Sequence, residues 1–262
     1  MKNIIITGST RGIGLCMAKE FLAAGCNVTL SGRGAVLNAE TQLELEKYAG
    51  QYIYIACNTQ SRGDIESLWT ESAQKWGQVD IWINNAGQNC PYEKIWSTDP
   101  AFFDKVVDTN LKGVIQGSAI AARNMLQQGG GQIFNMEGLG SDGRIMEKTI
   151  LYGTTKSALT YFTRGLAKEL SGTPVLAGRL SPGMMITDFI TKDPDGKESP
   201  ALAEKRFRYV LNAIGEKPET VAAFLVPRML ANKKNDAHIV WLTNAKATLG
   251  FLFAPMRKRK LI

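Results

Sequence analysis

The sequence predicts an α/β fold: a single doubly wound domain over residues 1–262, its parallel seven-stranded sheet covered by helices on both faces. Three observations lead there. Apolar, β-branched runs of strand length alternate with longer segments of helical period. Runs such as Ile4-Ile5-Ile6 are apolar without alternation, as strands buried on both sides are. The 262 residues, 44% hydrophobic and 21% charged, are also enough to bury a sizeable core, and that composition excludes a disordered or fibrous chain.

In chain order, the isoleucine triplet places a first strand at 2–7, and the glycine-rich turn behind it opens a helix near 13–24. A second strand at 26–31 precedes a helix near 36–49. The run at 52–56 leads into a helix near 61–76, and 79–84 into a long helical stretch near 100–128. The strand at 131–136 precedes 149–171, the strand at 174–180 precedes 218–232, and 237–242 closes the sheet. Strands that alternate with helices in this way belong to a parallel sheet. The exception is 184–216, polar and then mixed, with a turn at Asp193-Pro194-Asp195-Gly196; it is expected to be a lid or substrate loop within the same domain. The end, 251–262, reads as a basic tail, with Arg257, Lys258, Arg259 and Lys260 following Phe251-Leu252-Phe253.

Charge and rare residues narrow the chemistry. With 31 Lys+Arg against 24 Asp+Glu, the chain carries +7, a surplus that suits nucleic acid, an anionic membrane surface or a phosphorylated ligand. The single histidine, His238, rules out a multi-histidine zinc site, so no metal is expected, and it leaves one chance for a Ser-His-Asp triad. Catalysis is expected to rest on Tyr, Lys, Ser, Asn or a carboxylate. Cys16, Cys26, Cys57 and Cys90 form no C-x-x-C pair and are expected to be buried free thiols in a reducing compartment. The N-terminus is too short in apolar residues for a signal peptide, and no run approaches a membrane span. The expected location is cytoplasmic.

A doubly wound sheet holds its ligands at the carboxyl ends of its strands. The loop after the first strand reads Thr7-Gly8-Ser9-Thr10-Arg11-Gly12-Ile13-Gly14 and runs into a helix. Its glycines permit a tight turn and close backbone approach, and the helix N-terminus offers unpaired N–H groups to a pyrophosphate. A bare βα turn is the alternative. The second strand ends Leu30-Ser31-Gly32-Arg33, without the acid that would bind a ribose 2′-hydroxyl. Arg33 and Arg11 suit a 2′-phosphate instead, so the expected cofactor is NADP(H); the alternative leaves both arginines merely solvated. Tyr152 and Lys156 are four residues apart and hence share a helix face. An ammonium there is expected to lower the phenol's pKa toward the working range.

Three further stretches carry a resemblance: Asn84-Asn85-Ala86-Gly87, Tyr152-Gly153-Thr154-Thr155-Lys156 and Ser181-Pro182-Gly183-Met184-Met185-Ile186-Thr187. With the glycine loop they resemble the short-chain dehydrogenase/reductase family over essentially the whole chain. Within it, 80–87, 133–144 and 180–188 are similar to the chlorophyll b reductase group, which reduces the pigment's 7-formyl group. The resemblance implies an NADP-binding Rossmann domain in which Tyr152 protonates the carbonyl oxygen, Lys156 tunes it and reaches the ribose hydroxyls, and Asn110 organises a proton relay. It also implies cofactor contacts from Ser31, Cys57, Asn58, Asn85, Ala86 and Gly87. Thr187 is to reach the nicotinamide carboxamide, with Pro182 and Gly183 shaping the backbone beneath the ring. One departure stands out: where the family's strand ends in two serines, this sequence has Glu137-Gly138. Ser141 is the expected replacement for the missing hydroxyl, a plain turn residue being the alternative, and Glu137 is expected to bind a polar substituent of the substrate.

The lid offers Met184, Met185, Phe189, Ile190, Phe207, Tyr209 and Leu211, joined by Tyr92 and Trp96, a composition suited to a broad apolar ligand or to ordinary packing. A tetrapyrrole fits the resemblance; a steroid or fatty ketone fits the composition as well. For the tail, membrane contact competes with a solvated end or a subunit contact. Family members are commonly dimers or tetramers, so a homo-oligomer is expected. The leading expectation is a carbonyl reductase. A cofactor-binding regulatory or structural protein without catalysis stands second, and nucleic-acid binding third, on net charge alone.

Overall fold

A computed structural model describes residues 1–257 and 259–262. Seven strands form one parallel sheet: β1 (Asn3–Ile6), β2 (Asn27–Gly32), β3 (Tyr52–Ala56), β4 (Ile81–Asn84), β5 (Gly131–Met136), β6 (Val175–Ser181) and β7 (Ala237–Val240). Their order is β3-β2-β1-β4-β5-β6-β7, with every pairing parallel. The connections are α1 (Gly12–Ala23), α2 (Ala39–Leu45), α3 (Arg62–Trp76), α4 (Ala101–Val107), α5 (Gly113–Gln128), α6 (Ile150–Glu169), α7 (Asp188–Thr191), α8 (Lys205–Ile214) and α9 (Pro218–Ala231), and α10 (Asn244–Arg257) follows β7. This is the Rossmann-like, doubly wound architecture that the alternating pattern predicts. The order reverses between β1 and β4, which opens a crevice at their carboxyl ends.

The isoleucine triplet shows how the sheet is buried. Ile4 and Ile6 enter a core with Phe21 of α1 and Leu225 of α9, whereas Ile5 points to the opposite core with Leu68 of α3, Trp82 and Ile120. Side chains alternate across a strand, so a continuous apolar run supplies both layers. Beneath the crevice lies a buried polar cluster. Trp82 Nε1 donates to Asn84 Oδ1 at 2.8 Å, while Asn84 Nδ2 donates to Asn135 Oδ1 at 2.8 Å and to Ser118 Oγ at 2.9 Å. Asn135 in turn donates to Thr163 Oγ1 of α6 at 2.9 Å.

Four expected elements differ. The helix near 36–49 begins only at Ala39, where Asn38 caps it through Thr41 N, and ends in a 3₁₀ turn, Glu46–Tyr48. The stretch at 100–128 is α4 and α5 joined by a π-helical turn, Asp108–Lys112, which puts Asn110 in widened helix instead of regular helix. The 184–216 segment is structured: α7, a 3₁₀ turn at Pro200–Ala203, and α8. Its two ends meet, with Ile186 N donating to Glu216 O at 2.9 Å and Glu216 N to Met184 O at 3.0 Å.

The tail is the fourth difference. It contains α10, which packs on α8 with the Phe251 and Tyr209 rings stacked at 6.2 Å. Beyond it, Arg259 pairs with Glu216 at 3.3 Å and Leu261 N donates to Asn212 at 2.7 Å. The chain's end is therefore docked on the 184–216 segment. Of the basic run, Lys258 and the Arg257 side chain lie outside the described residues. All four cysteines are buried and free, as expected. Among the described residues no group of ligands suits a metal ion, and no helix is long and apolar enough to cross a membrane.

Candidate active site

The loop after β1 is fastened to the loop after β4. Thr7 Oγ1 accepts from Asn85 N at 2.9 Å and from Ala86 N at 3.0 Å, and the Asn85 amide donates to Thr7 O and Gly8 O at 3.0 and 2.9 Å. Gly8, at φ 62°, lies so close to Ala86 that a Cβ would stand 2.8 Å from its Cα. At Gly14 a Cβ would meet Asn85 Nδ2 at 2.6 Å. These two glycines are therefore demanded by close approach within the protein, apart from any ligand. Ser9 and Ser31 complete the fastening: Ser9 Oγ donates to Ile6 O at 2.8 Å and accepts from Ser31 N at 3.0 Å, while Ser31 Oγ donates to Ile6 O at 3.3 Å. Thr7 was not among the sequence candidates; nothing local distinguishes its hydroxyl.

The loop ends at α1, whose first turn starts at Gly12-Ile13-Gly14. A helix's first N–H groups have no partner within the helix. Arg11 supplies no side-chain cap and the first turn holds no acid, so the positive end of the helix is left for an anion. The two arginines stand at the same rim. Arg33, just past β2, is exposed, and the Arg11 side chain is exposed with its guanidinium 3.9 Å from Asp188 of α7. Thr10 packs against Gly32 and accepts at its carbonyl from Thr41, and Cys57, buried at the end of β3, donates its N–H to Gly32 O at 2.8 Å. Asn58 folds its side chain onto Gln60 N at 3.2 Å. Across the crevice, Pro182 and Gly183 follow β6, Gly183 at φ 75° against Leu242, and the Thr187 methyl lies 3.9 Å from where a Cβ at Gly12 would be. This cradle fits a dinucleotide: tight glycines and an uncapped helix start, with two exposed arginines at its rim.

Tyr152 and Lys156 project from the first turns of α6, at the carboxyl end of β5. The Lys156 ammonium is buried and donates to Met136 O at 2.9 Å, with its Nζ 5.7 Å from the Tyr152 ring centroid. Burial pushes its pKa down from 10.5 to about 8, opposed by the Glu137 carboxylate. Tyr152 differs from expectation. Its pKa is raised, by burial first and then by the neighbouring Cys90 thiol. Removing water from around a phenol disfavours the phenolate, and the ammonium that was to lower it is engaged with the Met136 carbonyl. The ring meets Phe189 edge-on at 5.6 Å, and Asn89 Nδ2 holds the Phe189 carbonyl at 2.7 Å.

Asn110 is fully buried. Its Oδ1 accepts from Gln88 N at 2.7 Å, and its Nδ2 donates to Gln88 O at 2.9 Å and Thr155 Oγ1 at 3.3 Å. It thereby clamps the backbone after Gly87 to α6, next to the Tyr–Lys pair. The π turn that carries it is the kind of helix irregularity common at functional sites.

The Glu137-Gly138 pair is closely packed. A Cβ at Gly138 would fall within 3.0 Å of the Tyr152 hydroxyl, 3.1 Å from Tyr152 Cζ and 3.3 Å from Lys156 Cγ. The tyrosine hydroxyl thus occupies the space of a side chain at 138. Ser141 Oγ accepts from Gly138 N at 3.2 Å and donates to Lys156 O at 3.1 Å, so it fastens the turn to α6. Glu137 is turned inward, not toward a substrate: Oε2 accepts from Ser181 Oγ and faces His238 Nε2, both at 2.8 Å, and Oε1 accepts from Thr160 Oγ1 at 3.1 Å with Arg179 at 3.6 Å. His238 and Ser181 both address the carboxylate, an arrangement different from a triad.

The apolar residues of 184–216 divide. Phe189 lies over Tyr152, and Phe207 faces Tyr92 at 6.3 Å, where Lys148 and Glu204 add an ion pair at 2.7 Å. Tyr209 belongs to the α10 contact, Leu211 is buried, and Trp96 is exposed.

Comparison with known proteins agrees with this fold. The family model described as short chain dehydrogenase matches residues 2–198. The chain is 35% identical over 257 residues to chlorophyll(ide) b reductase NOL, chloroplastic, of Oryza sativa subsp. japonica, covering 94% of this chain and 72% of that protein. It is 33% identical over 275 residues to the probable chlorophyll(ide) b reductase NYC1, chloroplastic, of the same plant, covering 98% of this chain but 53% of the relative, so it spans about half that protein's length. Among solved structures, the closed form of serine dehydrogenase with NADP+ superposes with a TM-score of 0.78 at 22% identity, over 91% of this chain and 94% of the other, a likeness of fold.

Proposed function

The chain belongs to the short chain dehydrogenase family of oxidoreductases, and on that premise we propose that it is an NADPH-dependent reductase of an aldehyde or ketone on a large apolar substrate. The formyl group of a chlorophyll-type tetrapyrrole is the substrate favoured by its similarity to the two plant reductases. One observation carries the reading: Tyr152 and Lys156 meet at the carboxyl end of β5, across the crevice from the uncapped, glycine-lined start of α1.

The nicotinamide cofactor, when bound, supplies the hydride. The loop from Gly8 to Gly14 and the first N–H groups of α1 would hold its pyrophosphate, and Arg11 and Arg33 its 2′-phosphate. Asn58, Gly87, Gly183 and Thr187 would border the remainder. Tyr152 acts as the proton donor. Its raised pKa keeps the phenol neutral at working pH, which suits donation to a carbonyl oxygen that gains negative charge. Lys156 stays charged up to about pH 8, stabilises the tyrosinate left behind and supports its reprotonation. Asn110 holds the Gln88 backbone and α6 in register for that exchange. Ser141 acts through the turn it fastens, bringing Gly138 against the tyrosine. Phe189 and Phe207 would cover an apolar substrate and exclude water.

The test is NADPH consumption across aldehydes, ketones and chlorophyll b by the parent protein and by Tyr152→Phe. Turnover in the parent that falls about 100-fold or more in the variant, with NADPH affinity retained, is the expected outcome. Tight NADPH binding with no turnover would instead support a cofactor-binding protein without catalysis, the reading that the absent serine at 138 favours.

A further inference from the structure

Glu137 stands where a short polar residue would have been unremarkable, yet its side chain is only 2% exposed and four donor groups from three elements converge on it. Thr160 belongs to α6, one turn beyond Lys156. Ser181 and Arg179 belong to β6, and His238 belongs to β7. A carboxylate is expensive to bury, and such a site persists when hydrogen bonds and a cation compensate the lost water. Here they do so at the end of β5, with Glu137 N also held by Leu180 O at 2.8 Å.

We propose that Glu137 is a positioning residue for Lys156: its buried carboxylate bolts α6 to β6 and β7 through Thr160, Ser181 and His238, and supplies the fixed negative charge that the lysine ammonium needs to remain protonated out of water. The proposal rests on the reductase reading for its catalytic consequence, though not for its physical content. Lys156 Nζ donates to the carbonyl of Met136, the residue before Glu137, and Thr160 Oγ1, which donates to Glu137 Oε1 at 3.1 Å, also donates to Lys156 O at 3.3 Å; Glu137 is thus the charged group at Lys156, beside the neutral phenol of Tyr152. Around Glu137 stand Arg179 and the His238 ring, which is charged only when protonated, with Asp236 on the far side of Arg179 at 3.4 Å. Arg179 is thus shared between two carboxylates, at 3.6 Å from Glu137 and 3.4 Å from Asp236, and does not pair with Glu137 alone. His238 is the chain's single histidine, and its ring nitrogen is spent here.

The experiment compares stability to urea against pH for the parent and Lys156→Met, and repeats the pair in a Glu137→Gln background. In the parent, Lys156 has a folded-state pKa of about 8, below its ordinary 10.5. Between those values the unfolded chain binds more protons, so the parent gains stability over Lys156→Met as pH rises from about 8. Below that range the difference is flat. Without the Glu137 charge the ammonium loses support, and the rise is expected to begin about one unit lower. The alkaline fall of kcat for carbonyl reduction is expected to move by the same amount. A rise that begins at the parent's pH in Glu137→Gln overturns the proposal, as does a uniform loss of kcat with an unmoved profile. Should Glu137→Gln be too unstable to titrate, Glu137→Asp replaces it; drawing the charge back by one methylene is expected to give a smaller shift in the same direction, and an unmoved rise again overturns the proposal. If the parent reduces no carbonyl at all, the reductase reading fails while the stability comparison still decides the role of Glu137.

Discussion

Placing a side chain at position 138 tests whether the site works through the tyrosine hydroxyl alone. Gly138 is not among the glycines with positive φ, so the backbone there accepts an L residue without strain. The whole penalty is contact. A Cβ would stand less than 3.0 Å from the Tyr152 hydroxyl and 3.1 Å from Cζ, and on the other side 3.3 Å from Lys156 Cγ. Ordinary carbon contacts lie at about 3.5–4.0 Å, so the hydroxyl must retreat by about 1 Å. It has little room, because its ring is pressed edge-on against Phe189 and the lysine is tied to Met136. Overpacking of this kind costs about 1–3 kcal/mol of stability. A displacement of about 1 Å at the reacting group costs roughly 100-fold in rate. Gly138→Ala is therefore expected to lower kcat about 100-fold while Kd for NADPH changes little. Gly138→Ser, which restores the residue type usual in the family, is expected to do no better. The assays are steady-state reduction, NADPH titration by fluorescence, and thermal melting to confirm folding. A Gly138→Ser protein as active as the parent, or more active, would refute the reasoning, since the serine would then have found room beside an undisplaced tyrosine.

Three other outcomes follow from the same geometry. Arg33→Ala is expected to raise KM for NADPH roughly tenfold, about the worth of one charge-assisted hydrogen bond, and to leave KM for NADH nearly unchanged; parallel titrations with the two cofactors check this. Asn84→Ala strips partners from Trp82 Nε1, Asn135 Oδ1 and Ser118 Oγ in a buried cluster, and is expected to cost about 3 kcal/mol in urea unfolding. The pH profile of reduction is expected to be level through neutrality and to fall as pH rises through about 8, where Lys156 gives up its proton; a kcat that climbs through that range would mean the lysine works in its neutral form.

What was legible in the sequence was whatever depends on near neighbours in the chain. The isoleucine triplet announces a doubly buried strand, the glycines of 8–14 announce a tight turn at a helix start, and Tyr152 and Lys156 announce a shared helix face. What was hidden depends on partners far along the chain. The apolar face of α8 is matched to α10, about forty residues later, so neither helix showed as a buried element by itself. The π turn at Asp108–Lys112 carries Asn110, whose partners Gln88 and Thr155 lie 22 and 45 residues away in the chain. The Tyr152 pKa runs opposite to the expectation for the same reason: spacing along a helix places a lysine nearby but says nothing of how much water the fold removes, and burial raises the phenol's pKa.

The Glu137-Gly138 pair joins these points. In sequence it reads as a serine lost. A serine lost through decay would leave a gap at 138 and an acid free to drift toward solvent. Instead the tyrosine hydroxyl fills the place of the missing side chain, and the acid is buried among Thr160, Ser181, Arg179 and His238. Each change makes sense only with the other. With no side chain at 138 the phenol settles against the backbone beside Lys156, and the buried ammonium then has a fixed negative charge within reach on the preceding residue. A buried carboxylate persists only with compensating partners, and Thr160, Ser181, Arg179 and His238 supply them directly beside the Tyr152–Lys156 pair.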